Sequence, residues 1–242
     1  MAPSPSSSPT SSPRAAPDVA AALAAAIADA AERYDGDNNV AALHRRLAAA
    51  VDVAAAGWPA DAPARSTPPG DVAAAALGRP APPTLADALV AAARPYEQVP
   101  EIAGPLYERV VQLRPDDARA LVVLGNAYWL HGRGPDVVGA LAARALAADP
   151  ASRGAWHLWA LTEADPRQRM LRWQQVTVRF PADDLARALF ADAAASVAGA
   201  EHDDEALVLA VSAYEDLLSR AERPEQRAAL ETAITTLKHW KL

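Results

Sequence analysis

The segment EHDDE, residues 201–205, places one histidine beside four carboxylates. Oxygen-rich side chains of this kind can bind a hard divalent cation. Consecutive residues of a turn rarely converge on one ion, and the glycine-spaced ligands of a calcium loop are missing. We therefore expect a solvated turn between helices, with a weak metal site as the alternative. The remaining histidines are scattered, and we expect no cofactor.

A glycine-rich stretch, GRGPDVVG at residues 132–139, superficially resembles a loop that binds phosphate. Such loops follow a β-strand and bind phosphate through backbone amides. Here no strand precedes the stretch, and Pro135 lacks an amide hydrogen. We interpret it as an inter-helix turn, with Pro135 near the start of the second helix.

Residue sets that could support catalysis are weak throughout the chain. Glu163 and Asp165 flank one turn, and Asp203 lies with other acids in a second, which is typical of helix caps and solubilising charges. Nucleotide-binding, metalloprotease and serine-hydrolase motifs are missing. The chain contains no cysteine, which excludes disulfides and thiol nucleophiles. We predict that the protein is not an enzyme.

The net charge of −7 disfavours binding to nucleic acid or to an anionic membrane, since such proteins present a basic face. No apolar run approaches the roughly 20 residues that a membrane helix needs. The first residues also lack the apolar segment of a secretory signal. The expectation is a soluble cytoplasmic protein.

Alanine makes up about a quarter of the chain, which favours closely packed helices over a strand-based core. Apolar periodicity and proline-rich breaks then divide the chain. We predict a disordered tail at 1–16, a helical hairpin at 17–56, a proline-rich linker at 57–83, helical repeats at 84–223 and a capping helix at 224–242.

Three prolines indicate a repeat within residues 84–223. Pro115, Pro150 and Pro181 each follow a helical apolar stripe, with spacings of 35 and 31 residues. A period in the mid-thirties with two helices per unit is typical of a helical solenoid. The predicted units are about 84–117, 118–152, 153–183 and 184–223.

The segment LVVLGNAYWLHGR, residues 121–133, resembles the first helix of a tetratricopeptide repeat. Leu121 stands where the repeat pattern usually has tryptophan. The residues that follow at the spacing of the pattern are Leu124, Gly125, Tyr128, Val138, Ala142, Ala145 and Pro150. The resemblance implies an all-α solenoid of helix-turn-helix units. It also implies that Gly125 lets the two helices of one unit approach closely, and that Tyr128 fills space between units.

In tetratricopeptide arrays the first helix of each unit lines a concave groove that binds peptides. By that resemblance, a second stripe on the 119–129 helix and two residues of the next unit would line a groove here. We name these six residues the candidate groove: Arg119, Val122, Asn126, Trp129, His157 and Leu161. Trp129 would be an exposed aromatic anchor. The alternative is that Trp129 packs under a neighbouring helix or the hairpin.

The predicted function is a non-catalytic adaptor that binds a protein or peptide partner. Capture of a peptide C-terminus is disfavoured, because the paired lysines used by some family members are missing. The alternative is a helical enzyme or ligand-binding protein with a pocket between the hairpin and the repeats. The last helix caps the array, or its KHWKL end supports self-association or partner docking. Arginines are concentrated at 153–179 and acidic residues at 182–205. We expect these charges to form solvated faces, with a complementary docking surface as the alternative.

Overall fold

The structure, a computed structural model, describes residues 15–59 and 84–240. Within these two segments every regular element is helical, which confirms the all-α prediction. None of the helices described combines the length and apolar character needed to cross a membrane. Most of the predicted tail and linker, and the last two residues of KHWKL, lie outside the described residues.

The chain divides into two compact units, Met1–Pro115 and Asp116–Leu242. The helices described in the first unit are α1 (Ala16–Asp37), α2 (Val40–Gly57), α3 (Leu85–Ala93) and α4 (Pro100–Leu113), with a 3-10 turn at Arg94–Tyr96. The α1 and α2 helices form the hairpin, joined by Asn38 in the left-handed conformation and by Asn39, which caps α2. The hairpin packs on α3 and α4.

Polar contacts connect three of the helices described in this unit, α2, α3 and α4. Thr84 and Asp87 form a reciprocal capping box at the start of α3, and Arg114 binds both side chains from the end of α4. The imidazole of His44 in α2 contacts the backbone oxygen of Glu101 in α4, at 3.1 Å from Nε2. The predicted hairpin therefore shares one compact unit with the helices of the first predicted repeat.

The second unit is a run of helices in which each packs on the next along the chain. Its helices are α5 (Ala118–Leu130), α6 (Pro135–Ala148), α7 (Arg153–Leu161), α8 (Pro166–Arg179), α9 (Asp184–Glu201), α10 (Asp204–Arg220) and α11 (Pro224–Lys238). A large buried cluster of this unit joins side chains of α7 to α11. A smaller cluster of Val138, Ala142 and Leu158 joins α6 to α7.

Local sequence signals explain where these helices begin and end. Side-chain oxygens cap five of the seven helix starts, at Asp117, Ser152, Asp165, Asp183 and Asp203. A proline follows two residues after the ends of α4, α6 and α8, because its ring cannot continue a helix. The mid-thirties proline spacing therefore corresponds to the ends of alternate helices.

Candidate functional site

Two glycines hold α5 and α7 in close contact. A Cβ atom on Gly125 would lie 2.6 Å from Leu158 Cδ1, and one on Gly154 would lie 2.7 Å from Val122 Cγ1. The contacts advance in the same direction along both helices, so α5 and α7 run parallel. The prediction that Gly125 packs against the second helix of its own unit was wrong. The nearest side chain to Gly125 is Leu158, which lies in the first helix of the next predicted unit.

The six residues of the candidate groove differ in their exposure. Arg119 and Asn126 on α5 are exposed, whereas Val122 and Trp129 on the same helix are half-buried. His157 and Leu161 on α7 are also half-buried. The surface of α5 therefore combines an exposed amide, an exposed guanidinium and an aromatic side chain that is partly covered.

Trp129 lies at the edge of the small cluster between α6 and α7. It packs against the cluster formed by Val138, Ala142 and Leu158, as do Tyr128 and Trp159. The guanidinium of Arg133 also lies over the Tyr128 ring, 5.0 Å from its centroid. Trp129 and Tyr128 are therefore both half-buried in one cluster, and part of each side chain reaches solvent.

His157 pairs with Asp183, a residue outside the predicted set. His157 Nε2 lies 2.7 Å from Asp183 Oδ2, and the imidazole meets the Trp173 ring edge-on. The carboxylate of Asp183 is 6% exposed and also accepts a hydrogen bond from the backbone amide of Ala186. This pair connects α7 to the start of α9. The cap position after FP at 180–181 was the only sequence signal for Asp183.

The environment of Asp183 favours its charged form. Burial acts to raise the pKa of this carboxyl, but hydrogen bonds from the Ala186 amide and from His157 outweigh that effect and hold the pKa below its usual value. Arg153 adds a weaker attraction, with its Nε 3.7 Å from the carboxylate. Asp183 is therefore an ionised cap and a partner of His157.

An arginine covers one face of Trp159. The Arg172 guanidinium lies over this ring, 4.6 Å from its centroid, and Nη1 donates to the Trp159 backbone oxygen. Arg172 also forms an ion pair with Glu163. Trp156 meets Trp159 edge-on with ring centroids 5.3 Å apart. Glu163 is thus engaged in an ion pair, and its neighbour Asp165 caps α8.

The predicted turn between helices lies within EHDDE: Glu201 ends α9, residues 202 and 203 form the turn, and α10 begins at Asp204. Glu201 and Asp203 both accept hydrogen bonds from Arg167 of α8, and Asp203 also caps α10. The amide of Ala206 and the guanidinium of Arg167 together lower the pKa of Asp203. Within the described segments, no group of three or more histidine or acidic side chains is arranged to hold a metal ion.

The basic and acidic stretches of the second unit pair with each other. Arg153 reaches Asp183, and Arg167 reaches Glu201 and Asp203. These contacts use part of the charge that the sequence segregates between 153–179 and 182–205. The glycine-rich stretch at 132–139 covers the last part of the turn between α5 and α6 and the start of α6, whose first residue is Pro135.

Comparison with models of known protein families gave no match, and comparison with curated proteins also gave no match. The functional interpretation therefore depends on the geometry of the chain itself.

Proposed function

We propose that the protein is a non-catalytic interaction module, similar to tetratricopeptide-repeat proteins, that binds a peptide or an extended protein segment on the candidate groove. The packing of each helix of the second unit on the next supports this proposal. The parallel contact between α5 and α7 supports it further, since first helices of successive repeats must lie side by side to line a common groove.

The observation that carries the proposal is the pairing of exposed Asn126 with half-buried Trp129 on one face of α5. Residues three apart on a helix share a face. An exposed asparagine amide offers two donors and one acceptor, which match the backbone of an extended peptide. A tryptophan fixed by its packing offers apolar area with little loss of side-chain freedom, which favours a binding role.

The residues around this face favour recognition over chemistry. His157 is paired with a buried carboxylate, and Glu163 with Arg172. A nucleophile next to a base is the arrangement that covalent catalysis requires, and the described residues of the candidate groove include no serine, threonine or cysteine.

The test starts from peptides selected on the full-length protein from a displayed random library. Affinities of the selected peptides are then measured by calorimetry for the wild type and for Asn126→Ala. We expect an affinity loss of about 10-fold, which corresponds to one lost polar contact of about 1.4 kcal/mol. Gln175→Ala is the matched control, because it removes an exposed amide from α8.

Nuclear magnetic resonance gives a second measurement on the same complexes. Bound peptide should shift the indole resonance of Trp129 while the protein stays folded. Selected peptides that bind Asn126→Ala and wild type equally, and leave the Trp129 resonance unchanged, would show that the candidate groove is not the binding surface.

A further inference from the structure

The α1–α2 hairpin contains an open apolar cleft of about 370 Å³, lined by residues of both helices. The walls are almost entirely alkyl groups, with Asp29 and Arg46 among the lining residues. The apolar residues of the lining are Val19, Ala22, Leu23, Ala26, Ala49, Ala50, Val53, Ala54 and Gly57. The cleft therefore exposes apolar surface that contact with another apolar surface would remove from water.

Val53 projects from the wall of this cleft. It is 71% exposed, although most of the large apolar side chains of the hairpin are buried. An apolar projection beside an apolar depression makes the face complementary to itself. Self-complementarity is what a two-fold symmetric interface requires, because each copy presents the same patch to the other.

The charges on α2 are complementary to a second copy of the same helix. Arg45 and Asp52 are both exposed and lie seven residues apart, which places them on one face of α2. Neither forms a hydrogen bond or ion pair with another residue of the described segments. In an antiparallel pair centred between Ala48 and Ala49, Arg45 of each copy lies opposite Asp52 of the other.

The side chains at the centre of that arrangement are small. Ala48 and Ala49 are both exposed, so two copies of α2 can approach closely there without steric conflict. We propose that the protein forms a two-fold symmetric dimer in which α2 packs antiparallel on α2 of a second copy. By the same register, Val53 of each copy lies opposite position 44 of the other, next to the end of the apolar cleft that Arg46 lines.

The absence of cysteine from the chain permits a direct test by crosslinking. Ala49→Cys places the only thiol next to the two-fold axis, so mild oxidation should convert most of the full-length protein to a covalent dimer. Ala56→Cys is the control. Its two thiols would lie roughly 22 Å apart along the helix direction, from the 1.5 Å rise per residue, and should not join.

A charge exchange tests the same register without a covalent bond. Sedimentation should show that Arg45→Glu weakens the dimer by at least about 10-fold, since two like-charge pairs replace two opposite-charge pairs. Adding Asp52→Arg to that variant should restore dimerisation. Val53→Glu should give a monomer whose circular dichroism matches that of the wild type, because Val53 is exposed in the single chain.

Three results would overturn the proposal. One is a wild-type protein that stays monomeric up to about 1 mM, because even a weak dimer of about 4 kcal/mol would be populated at that concentration. Another is equal crosslinking of Ala49→Cys and Ala56→Cys. The third is a monomeric Ala49→Cys whose thiol resists alkylation, which would mean that the chain itself covers the cleft.

Discussion

Gly125 and Gly154 set the distance between α5 and α7, because each accommodates a side chain of the opposite helix. The sequence identified Gly125 as a packing position through its place in the repeat pattern. It did not identify Gly154 or the true partner Leu158. A repeat pattern specifies which positions face a neighbour, whereas the identity of the neighbour depends on how the helices cross.

Replacement of Gly125 by alanine should destabilise the protein by about 1 kcal/mol. The new Cβ overlaps Leu158, which is 1% exposed and has little room to move. Overpacking of about 1–3 kcal/mol then exceeds the gain of up to about 1 kcal/mol in helix propensity. Urea denaturation measures the change.

Gly139→Ala is the matched control within α6. Its Cβ would lie 3.4 Å from Thr162 Oγ1, an ordinary contact, so the propensity gain should dominate and stability should rise. Equal stabilisation by both substitutions would show that Leu158 relaxes freely and that Gly125 does not limit the helix contact.

Replacement of Asp183 by asparagine should make stability less dependent on acid pH. The pKa of Asp183 is lowered in the folded protein from the ordinary 3.8. Its ionised form therefore adds stability above the unfolded pKa, and that stability is lost as pH falls through the folded pKa. Asparagine can still cap α9, so the substitution mainly removes the charge.

The measurement is urea denaturation of wild type and Asp183→Asn from about pH 5 to about pH 2. The stability difference should be largest at the higher pH and shrink towards the lower one. Other carboxylates with lowered pKa values, such as Asp87 and Asp203, are common to both proteins and cancel in the difference. A difference that stays constant with pH would contradict the role assigned to the charge.

At the scale of helices, boundaries were predictable where one residue determines them. A proline such as Pro135 marks a helix start, and an aspartate such as Asp165 supplies a cap. Contacts between helices were not predictable in the same way. The attachment of Arg167 to an acidic turn 34 residues away depends on how α8 packs on α9.

Trp129→Ala and Tyr128→Ala should destabilise the protein by similar amounts, about 2 kcal/mol each. The sequence predicted that Trp129 contributes little packing, but both side chains are half-buried against the same cluster of α6 and α7. Half-burial reduces the cost below the 3–5 kcal/mol typical of a fully buried aromatic residue. Thermal melts followed by circular dichroism give the comparison.

Leu130→Ala is the control for this pair, because Leu130 is 68% exposed at the end of the same helix. It should change the melting temperature little. If Trp129→Ala also melts like wild type, the Trp129 indole contributes no packing. The sequence-based prediction, in which Trp129 is an exposed anchor and Tyr128 a packing residue, would then be correct.

At the scale of the molecule, the sequence predicted a hairpin at 17–56 and repeats from residue 84. The structure instead divides into two compact units after Pro115. The α3 and α4 helices pack on the hairpin within the first unit. Apolar periodicity shows that a helix has an apolar face, but many different neighbouring helices could pack on such a face. The match between particular faces, such as α2 with α4, is decided by side-chain shape in three dimensions.

The second unit should therefore fold when expressed alone as residues 116–242. The buried clusters described for residues 118–240 draw their members from α6 to α11, with side chains of α5 packed against them, and the fragment keeps all of these residues. We expect a helical circular dichroism spectrum and a cooperative melt.

A fragment of residues 151–242 is the comparison. It loses α5 and α6 and exposes the face of Leu158 that Gly125 covers, so it should melt at a lower temperature. An unfolded 116–242 fragment, together with a full chain that melts in one transition, would contradict this prediction. The second unit would then depend on the first for its stability, and the two units would unfold as one cooperative unit.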